Sequence, residues 1–579
     1  MHAGYFDAAN QELDRAAQQL SADRDLAQVW YARGMYQREV IGKRVNRSKN
    51  ELSVAALERS LLIGTRAGFT ALVVNIHVSL AYSLAELDRT SDAERHLAEA
   101  GTLDVDGRLK MEREQVAARI AYHRGNLMLA YSLNEKLYPL LDDPDEQIDI
   151  CMLQARIAIV NNDWAKARSW AQRGVKIVEE MSTQWPTELR SWILANRREP
   201  FELLVTALAR AHAAEEAILV LDQWQRRTLL DQMVLPSPDP PRDLASAAAK
   251  VRRLLGSLLP ASKAPLMAGS ERAVLQSLRT IDLVSIVVSE GQVWRVSDRH
   301  GRFSVDQIAP FDMLRDRLSQ FAAMPADPEL ASDLGVLILP SDFVHATEDP
   351  LYVVLDARLA AMPFAALRSN GQPLIVTRPV LLMPRLPVSS SCESDIDNRR
   401  VMVLADPMGD LPAARRESSH VASLFATTPI VGVAATSSAL FAARSDMLLH
   451  LVVHVDVDAG GGTLRLHDRT ISAPQICGDR LGPRLVVLSA TGSANSWNPE
   501  LASSLSTAFL TAGSQYVVTA LKPMSDAGSL ELMNRFYKAG GARDPVHALA
   551  QVQVALFRIG NTEWQNVFVF GRNTCEPHP

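Results

Sequence analysis

Two different hydrophobic patterns divide this chain. Over residues 1–233, apolar side chains recur at helical spacing among Ala, Leu, Arg, Gln and Glu, and proline is nearly absent. Beyond residue 273, apolar residues gather into short continuous runs, such as 448–453 and 485–488, that end abruptly in polar or small residues. Runs of this kind are typical of buried strands in a parallel sheet. We predict further strands at 336–339 and 352–355, a strand pair at 374–383 and a hairpin over 283–296. The helical pattern extends over 200–233, with its last helix at 215–233. We therefore predict a helical domain at 1–233 and an α/β domain at 273–579, joined by a Pro-rich linker and connecting helix at 234–272.

An internal period supports the helical interpretation of the first domain. Alanines recur every 37 residues in two series, offset from each other by 12 residues: Ala81, Ala118 and Ala155, and Ala93, Ala130 and Ala167. This spacing resembles that of the small residues where the two helices of a tetratricopeptide (TPR) repeat pack closely, although the usual period is about 34 residues. The alternative is coincidence in an alanine-rich helical chain. The resemblance implies an all-α helical solenoid with a concave surface for a protein partner.

Two of the apolar runs in the second domain lead into residues that can carry chemistry. The run at 448–453 is followed by His454, and the run at 485–488 is followed three residues later by Thr491. Because sites in open α/β sheets form at the carboxyl ends of the strands, we predict that His454 and Thr491 lie side by side. A cysteine next to this histidine would make a thiolate–imidazole dyad. The histidine is present, but the cysteine is not.

The second domain resembles the CHAT domain, a caspase-like peptidase module that usually follows TPR repeats. The segments MPFAAL at 362–367, LPAARRE at 411–417 and LSATG at 488–492 match family motifs in register. In the family, the first strand ends in His-Gly and the second in Leu-Ser-Ala-Cys; here they read His454-Val455 and Leu-Ser-Ala-Thr491. Either the cysteine became Thr491, or a two-residue deletion removed Cys-Glu. The resemblance implies a caspase-like α/β fold with a mainly parallel sheet, in which His454 and Thr491 are vestigial dyad positions.

Other groups near these strands are alternative candidates for a nucleophile or a metal ligand. Thr491 and Ser489 are hydroxyls that need a strong base to attack, and Cys477 is expected to pack in a helix between the two strands. A metal set could be assembled from four side chains of this region, but a Gly-Gly-Gly run at 460–462 indicates a loop instead: Asp456, Asp458, His467 and Asp468. The sequence contains no phosphate-binding glycine motif. We therefore expect neither a cofactor nor a metal.

Composition narrows the class of protein without naming a function. The 579 residues carry a net charge of −6, which implies no general affinity for nucleic acid or anionic membranes. The four cysteines lie far apart, as expected in a reducing cytoplasm. The N-terminus lacks the apolar core of a signal peptide. The uncharged run at 501–521 is interrupted by Gly513 and predicts a helix, a turn and a strand, not a membrane span.

These observations favour a cytoplasmic pseudopeptidase that acts as a scaffold or regulator, with the helical repeats as its partner-binding surface. One alternative is an active caspase-like endopeptidase with a non-standard nucleophile. Another is a sensor of nucleic acid or nucleoprotein, because residues 38–49 carry five basic side chains. That segment lacks aromatic residues for base stacking. A bacterial origin is implied by the family resemblance alone.

Overall fold

The described part of the chain forms two compact units. The computed structural model describes residues 6–39, 47–184, 197–234, 270–359, 362–386, 389–390, 400–458, 461–478, 482–489, 499–520, 522, 524–572 and 574–575. The first unit contains the described residues up to Ala211, and the second begins at His212. The predicted fold class is confirmed, since an all-helical region precedes a mainly parallel sheet. Most of the predicted linker at 234–272 lies outside the described residues.

The first unit, here called the helical unit, is a succession of antiparallel helices in which each packs on the next. Alternate helices α2, α4, α6 and α8 also contact one another and form one layer. The helices are α1 Phe6–Gln19, α2 Asp23–Glu39, α3 Arg47–Arg66, α4 Thr70–Glu86, α5 Thr90–Leu103, α6 Lys110–His123, α7 Leu127–Leu137, α8 Pro144–Val160, α9 Trp164–Gln184 and α10 Glu199–Arg210.

The six periodic alanines are all completely buried in this unit. The first series lies on α4, α6 and α8, and the second on α5, α7 and α9. A methyl side chain lets two helix backbones approach closely, which explains why alanine recurs where the helices of a pair face each other. The helix pairs and their period are therefore as predicted. Their assignment to the TPR family stays a prediction.

The turns within the helix pairs, where the sequence carries helix-breaking residues in each copy, repeat one backbone feature. Asp88, Gly125 and Asn162 follow α4, α6 and α8, and all three have positive φ, at 61°, 76° and 56°. At each turn, two amide N–H groups donate back to carbonyls of the last helical turn; for example, Arg89 N donates to Leu84 O at 2.9 Å. This is the Schellman arrangement, which favours Gly, Asn or Asp at the left-handed position. These residues end each first helix at the same point.

The second unit, here called the sheet unit, is built on an 11-stranded sheet. Its strands are β1 Asp282–Ser289, β2 Gln292–Arg299, β3 Arg302–Pro310, β4 Leu351–Leu355, β5 Arg368–Ser369, β6 Gln372–Pro373, β7 Val380–Met383, β8 Ser389–Ser390, β9 Val401–Ala405, β10 Ile430–Val431, β11 Leu448–Val452, β12 Val455–Asp458, β13 Gly461–Arg465, β14 Thr470–Ser472, β15 Leu485–Leu488, β16 Tyr516–Ala520, β17 Val567–Gly571 and β18 Thr574–Cys575. Its helices are α11 Ala214–Val234, α12 Ser270–Leu278, α13 Phe311–Ala323, α14 Pro328–Ile338, α15 Leu374–Thr377, α16 Pro412–Leu424, α17 Ser437–Phe441, α18 Ala473–Gly478, α19 Pro499–Ala512, α20 Asp526–Lys538 and α21 Pro545–Arg558.

The main sheet contains two sets of parallel strands, which meet at one antiparallel pair of strands. Its strand order is β10-β9-β11-β15-β16-β17-β7-β4-β1-β2-β3. Strands β10 to β16 in that order run parallel, β16 pairs antiparallel with β17, and β17, β7, β4 and β1 again run parallel. The central strands β11, β15, β7 and β17 are buried along their whole length. Helices cover the sheet, as expected for parallel strands with long apolar runs.

Several sequence predictions for this unit are confirmed, and others are wrong. The β1–β2 hairpin turns at Glu290 and Gly291, both at positive φ, as a two-residue hairpin of the primed type requires. The run at 336–339, predicted as a strand, belongs mainly to α14, because Asp327 caps a helix whose apolar residues recur at helical spacing. The first half of the predicted strand pair at 374–383 is the short helix α15.

The region 200–233, predicted to be helical with its last helix at 215–233, forms the two helices α10 and α11. His212 adopts a left-handed conformation with φ of 56° directly after α10, which stops the helix. Helix α11 contacts β2, β3, α18 and α19 and groups with the sheet unit. The helical unit thus ends at Ala211, before the predicted boundary at 233. Within the described residues, no helix combines the length and apolar character needed to cross a bilayer.

Candidate functional site

The two strands that lead to the predicted site lie next to each other. Strand β15 pairs in parallel with β11, and Leu451 lies opposite Leu488. Paired positions are therefore 37 residues apart, the same separation as that between His454 and Thr491. His454 lies two residues beyond the end of β11. Thr491 lies outside the described residues, so its position beside His454 stays a prediction.

His454 is held by a carboxylate that sequence inspection did not identify. Its Nε2 lies 3.0 Å from Asp410 Oδ1 and 3.1 Å from Asp410 Oδ2. The imidazole is 22% exposed and the carboxylate 57% exposed. The hydrogen bond from His454 lowers the pKa of Asp410. A carboxylate bound to an imidazole fixes the ring orientation in catalytic triads, and Asp410 orients the ring of His454 in the same way.

The loop that presents Asp410 is organised by Asp406. This residue follows β9, has a φ of 47° and is completely buried. Its Oδ1 accepts a hydrogen bond from Leu411 N at 2.9 Å, its Oδ2 accepts one from Arg415, and its backbone N–H donates to Val452 O at 3.0 Å. Because β9 is the parallel neighbour of β11, the loop after β9 reaches the residue after β11. A polar residue following this neighbouring strand was the available sequence signal for Asp410.

His450, four residues earlier on β11, belongs to a separate buried polar network. It is completely buried, its Nδ1 lies 2.9 Å from the Tyr537 hydroxyl, and its Nε2 lies 3.1 Å from Glu417 Oε1. Burial, followed by the Glu417 charge, raises the pKa of Tyr537 far above its usual range, so the phenol keeps its proton. Both contacts are satisfied when Tyr537 donates to Nδ1 and Nε2–H donates to Glu417. These contacts tie β11 to the helices that carry Glu417 and Tyr537, which is a structural role for His450.

Ser489 belongs to the same network, in which its described hydrogen-bond partner is a serine and not a histidine. Its Oγ lies 3.0 Å from Ser529 Oγ, and Ser529 Oγ donates to Glu417 Oε2 at 2.7 Å. Burial raises the pKa of Glu417, but hydrogen bonds from His450, Ser489 and Ser529 outweigh it and lower the pKa. A carboxylate that already accepts these hydrogen bonds is a weak base toward a serine hydroxyl. Among the described contacts of Ser489, no activated nucleophile is formed.

The other residues considered as nucleophiles or ligands are also accounted for. Cys151 is buried in the helical unit, and burial raises the pKa of its thiol to about 12, which leaves it unreactive. Cys477 lies in α18 and Cys575 in β18, while Cys392 lies outside the described residues. The metal set considered at 456–468 is dispersed, because three of its side chains bind elsewhere: Asp456 to Arg465, His467 to Pro407 O and Asp468 to Ser437.

Comparison with known proteins agrees with this geometry. The CHAT domain family model matches residues 316–567. This part of the chain is a CHAT domain. The CHAT match includes both β11 and β15, so His454 and the strand preceding Thr491 fall inside the recognised domain. The domain links the chain to a protease-related family. A search of the curated proteins found no match.

Solved structures with a similar course of the chain include two of the Saccharomyces cerevisiae separase–securin complex. The first has a TM-score of 0.45 and 10% identity, and covers 95% of this chain and 53% of that chain. The second has a TM-score of 0.44 and 11% identity, and covers 98% of this chain and 53% of that chain. This chain therefore spans about half the length of those matched chains.

Proposed function

We propose that this protein is a pseudopeptidase that acts as a protein-binding scaffold or regulator. The observation that carries the proposal is the identity of residue 491. It stands at the same offset from His454 that separates paired residues of β11 and β15, and it is a threonine. No cysteine occurs between residues 478 and 574. The CHAT domain thus has an oriented histidine after β11 and no cysteine in the sequence directly after the neighbouring strand β15.

Replacing a thiol with a threonine hydroxyl removes most of the reactivity of such a site. A cysteine is partly ionised near neutral pH, whereas an alcohol needs a strong base or an N-terminal amine to become a nucleophile. Asp410 orients His454 as a base. The secondary alcohol of a threonine within the chain nevertheless remains a poor nucleophile. We therefore propose that His454 and Asp410 now serve to hold the loop after β9 against the end of β11.

The helical unit offers a surface for the partner. A pocket of about 300 Å³ opens on the layer formed by α2, α4, α6 and α8. Arg38 is the basic residue in its lining, and carboxylates outnumber it: Glu86, Glu112, Asp145, Glu146 and Asp149. Glu86 is paired with Arg119, and Asp145 lies 2.7 Å from Arg197. These ion pairs satisfy part of the acidic lining and leave Glu112 and Glu146 close to each other.

The electrostatics of this pocket favour a basic partner segment. Burial, followed by repulsion from Asp143 and Glu112, raises the pKa of Glu146. A lysine or arginine side chain entering the pocket would relieve this repulsion and gain charge-assisted hydrogen bonds. The same charge disfavours a phosphate backbone. This supports a protein partner over nucleic acid, although residues 40–46 of the basic segment lie outside the described part of the chain.

The catalytic half of the proposal is tested with the purified full-length chain. Fluorogenic peptides with varied residues before the scissile bond should remain uncleaved, and an electrophilic peptide probe should give no labelling that depends on His454. Cleavage that disappears in His454→Ala would overturn the proposal. Thr491→Cys distinguishes the two sequence alignments: thiol labelling that depends on His454 is expected if cysteine was simply replaced, and not if two residues were deleted.

The binding half is tested by selecting displayed peptides against the same chain and measuring their affinity by fluorescence polarisation. Selected peptides should be rich in Lys and Arg, and Glu146→Lys should weaken them by about 10-fold or more, equivalent to about 1.4 kcal/mol. Glu58→Lys is the matched control, because Glu58 is exposed on α3 and does not line the pocket. Equal losses in both variants would show that only net charge matters.

A further inference from the structure

Three side chains of types that can ligate a metal converge between α4 and α5 in the helical unit. His77 Nδ1 lies 2.9 Å from His96 Nδ1. Glu99 Oε2 lies 3.1 Å from His77 Nδ1 and 3.8 Å from His96 Nδ1. Within the described residues, this is the group of His, Cys, Asp and Glu side chains whose ligand atoms meet closely enough to share one ion. The cluster is remote in sequence from the CHAT domain.

The helix pairing explains how these short side chains meet. His96 and Glu99 are three residues apart on α5 and therefore share a face. His77 precedes Ala81 by four residues on α4, and His96 follows Ala93 by three on α5. Both alanines are completely buried in one hydrophobic cluster. The close helix approach that the alanines allow brings the two imidazoles into contact one turn away.

The repeat itself does not require this constellation. The positions 37 and 74 residues further along carry no such set: Glu114, Leu133 and Lys136 in the next pair, and Cys151, Trp170 and Arg173 in the one after. Packing at these positions is thus achieved with apolar or unrelated side chains. Two histidines that point the same ring nitrogen at each other, with a carboxylate beside them, are a local departure from the repeat.

Burial prepares the imidazoles to act as ligands. His77 and His96 are 6% and 7% exposed. Burial is the largest cause that lowers the pKa of each, and for His96 the nearby His77 and Arg95 charges add to it. Glu99 acts in the opposite direction, and Arg95 is itself paired with Asp92 at 3.2 Å. A lowered pKa favours neutral imidazole, which is the form that binds metals.

We propose that His77, His96 and Glu99 form a binding site for a divalent transition metal of the zinc class. Zinc binds His nitrogen and carboxylate oxygen at about 2.0–2.2 Å, which places neighbouring ligands of a tetrahedron about 3.3 Å apart. The three separations of 2.9, 3.1 and 3.8 Å bracket this value. Imidazole ligands select zinc, cobalt, nickel or copper over magnesium and calcium, which prefer oxygen.

Three protein ligands leave a fourth coordination position open. The side chain of Glu99 is 46% exposed, so the open position faces solvent on the Glu99 side, while the two histidines anchor the ion from within. A bound ion would join α4 to α5 and replace the hydrogen bond in which one Nδ1–H donates to the other Nδ1. The metal would then stabilise the helix pair and present a coordination position to water or to a partner side chain.

The test uses the full-length chain after treatment with a chelator and cobalt(II) as the probe. Titration should produce the intense visible absorption of tetrahedral cobalt with one equivalent bound, and zinc should displace it. His96→Ala should abolish this absorption, and Glu99→Gln should weaken cobalt binding about 10-fold or more. His345→Ala is the matched control, because His345 is an exposed histidine of the sheet unit.

Glu99→Gln also protects the test against misfolding, since its side chain is partly exposed and its substitution should leave the far-UV circular dichroism unchanged. Zinc should raise the thermal unfolding midpoint of the wild-type chain and raise it less in Glu99→Gln. Weak octahedral absorption, or equal cobalt binding by wild-type, His96→Ala and Glu99→Gln chains, would overturn the proposal. A cobalt signal that persists without His96 but disappears without His345 would also place the ion elsewhere.

Discussion

Removing the Glu417 carboxylate should destabilise the sheet unit strongly. Glu417 is 4% exposed and accepts hydrogen bonds from His450 on β11 and Ser529 on α20. In Glu417→Ala, the completely buried His450 loses this acceptor, whereas Ser529 is only partly buried and keeps its contact with Ser489 at 3.0 Å. A buried donor left unsatisfied costs about 1–3 kcal/mol, so the loss at His450 should lower the free energy of unfolding by about that amount, with a smaller further loss from Ser529. Glu417→Gln keeps one acceptor oxygen and should cost less.

The effect is measured by hydrogen exchange with mass spectrometry in increasing urea. Peptides that cover β11 and β16 report the free energy of unfolding of the sheet unit separately from that of the helical unit. Glu531→Ala on α20 is the control, because its ion pair with Arg535 at 2.7 Å is exposed and should contribute at most about 1 kcal/mol. A loss in Glu417→Ala no larger than that in Glu531→Ala would refute the reasoning.

The pH dependence of this contribution has a definite sign. The pKa of Glu417 is lower in the folded protein than in the unfolded chain. Its contribution is therefore complete above the unfolded pKa and declines as the pH falls through the folded value. The difference in stability between the wild-type chain and Glu417→Gln should accordingly shrink on acidification. A difference that grew toward low pH would contradict the assignment of a charged Glu417.

Three further predictions concern stability. Burial raises the pKa of Glu86, but Arg119 and His123 outweigh it and lower the pKa to about 2. The free energy of unfolding of the helical unit, measured in urea, should therefore fall by about 3 kcal/mol as the pH falls from about 4.5 toward 2, and this fall should be absent in Glu86→Gln. Gly125→Ala should cost about 1–2 kcal/mol by backbone strain alone, since φ is +76° and no atom lies within 4 Å of a new Cβ; Gly68→Ala, in equally open space, should cost about the same. Gly335→Ala should lower the thermal midpoint more than either, because its Cβ would lie 1.9 Å from a backbone oxygen.

The sequence predicted the framework of the fold where one local pattern was sufficient. Continuous apolar runs predict buried parallel strands, and β9, β11, β15 and β16 lie where those runs occur. The alanine period located the helix pairs because close backbone approach admits only small side chains. The run at 336–339 was predicted wrongly because four apolar residues look alike in a strand and in the last turn of a helix.

The candidate site was only half predictable, because its parts come from separated segments. His454 follows its own strand and was found. Asp410 binds it across 44 positions of sequence, and that pairing depends on β9 being the neighbour of β11. The contact between His77 and His96 likewise depends on the rotation of two helices about their axes, which the helical period alone does not fix with enough accuracy.

The edges of the main sheet limit how a partner can join this protein. One edge strand, β10, has two residues, and the other, β3, has no buried residue, carries Arg302 and Asp306 along its length, and ends at Pro310. Short or charged outer strands discourage the addition of a foreign strand. An extended peptide would therefore gain little by docking along either border. Growth of the sheet into fibres or strand-exchanged assemblies is disfavoured for the same reason.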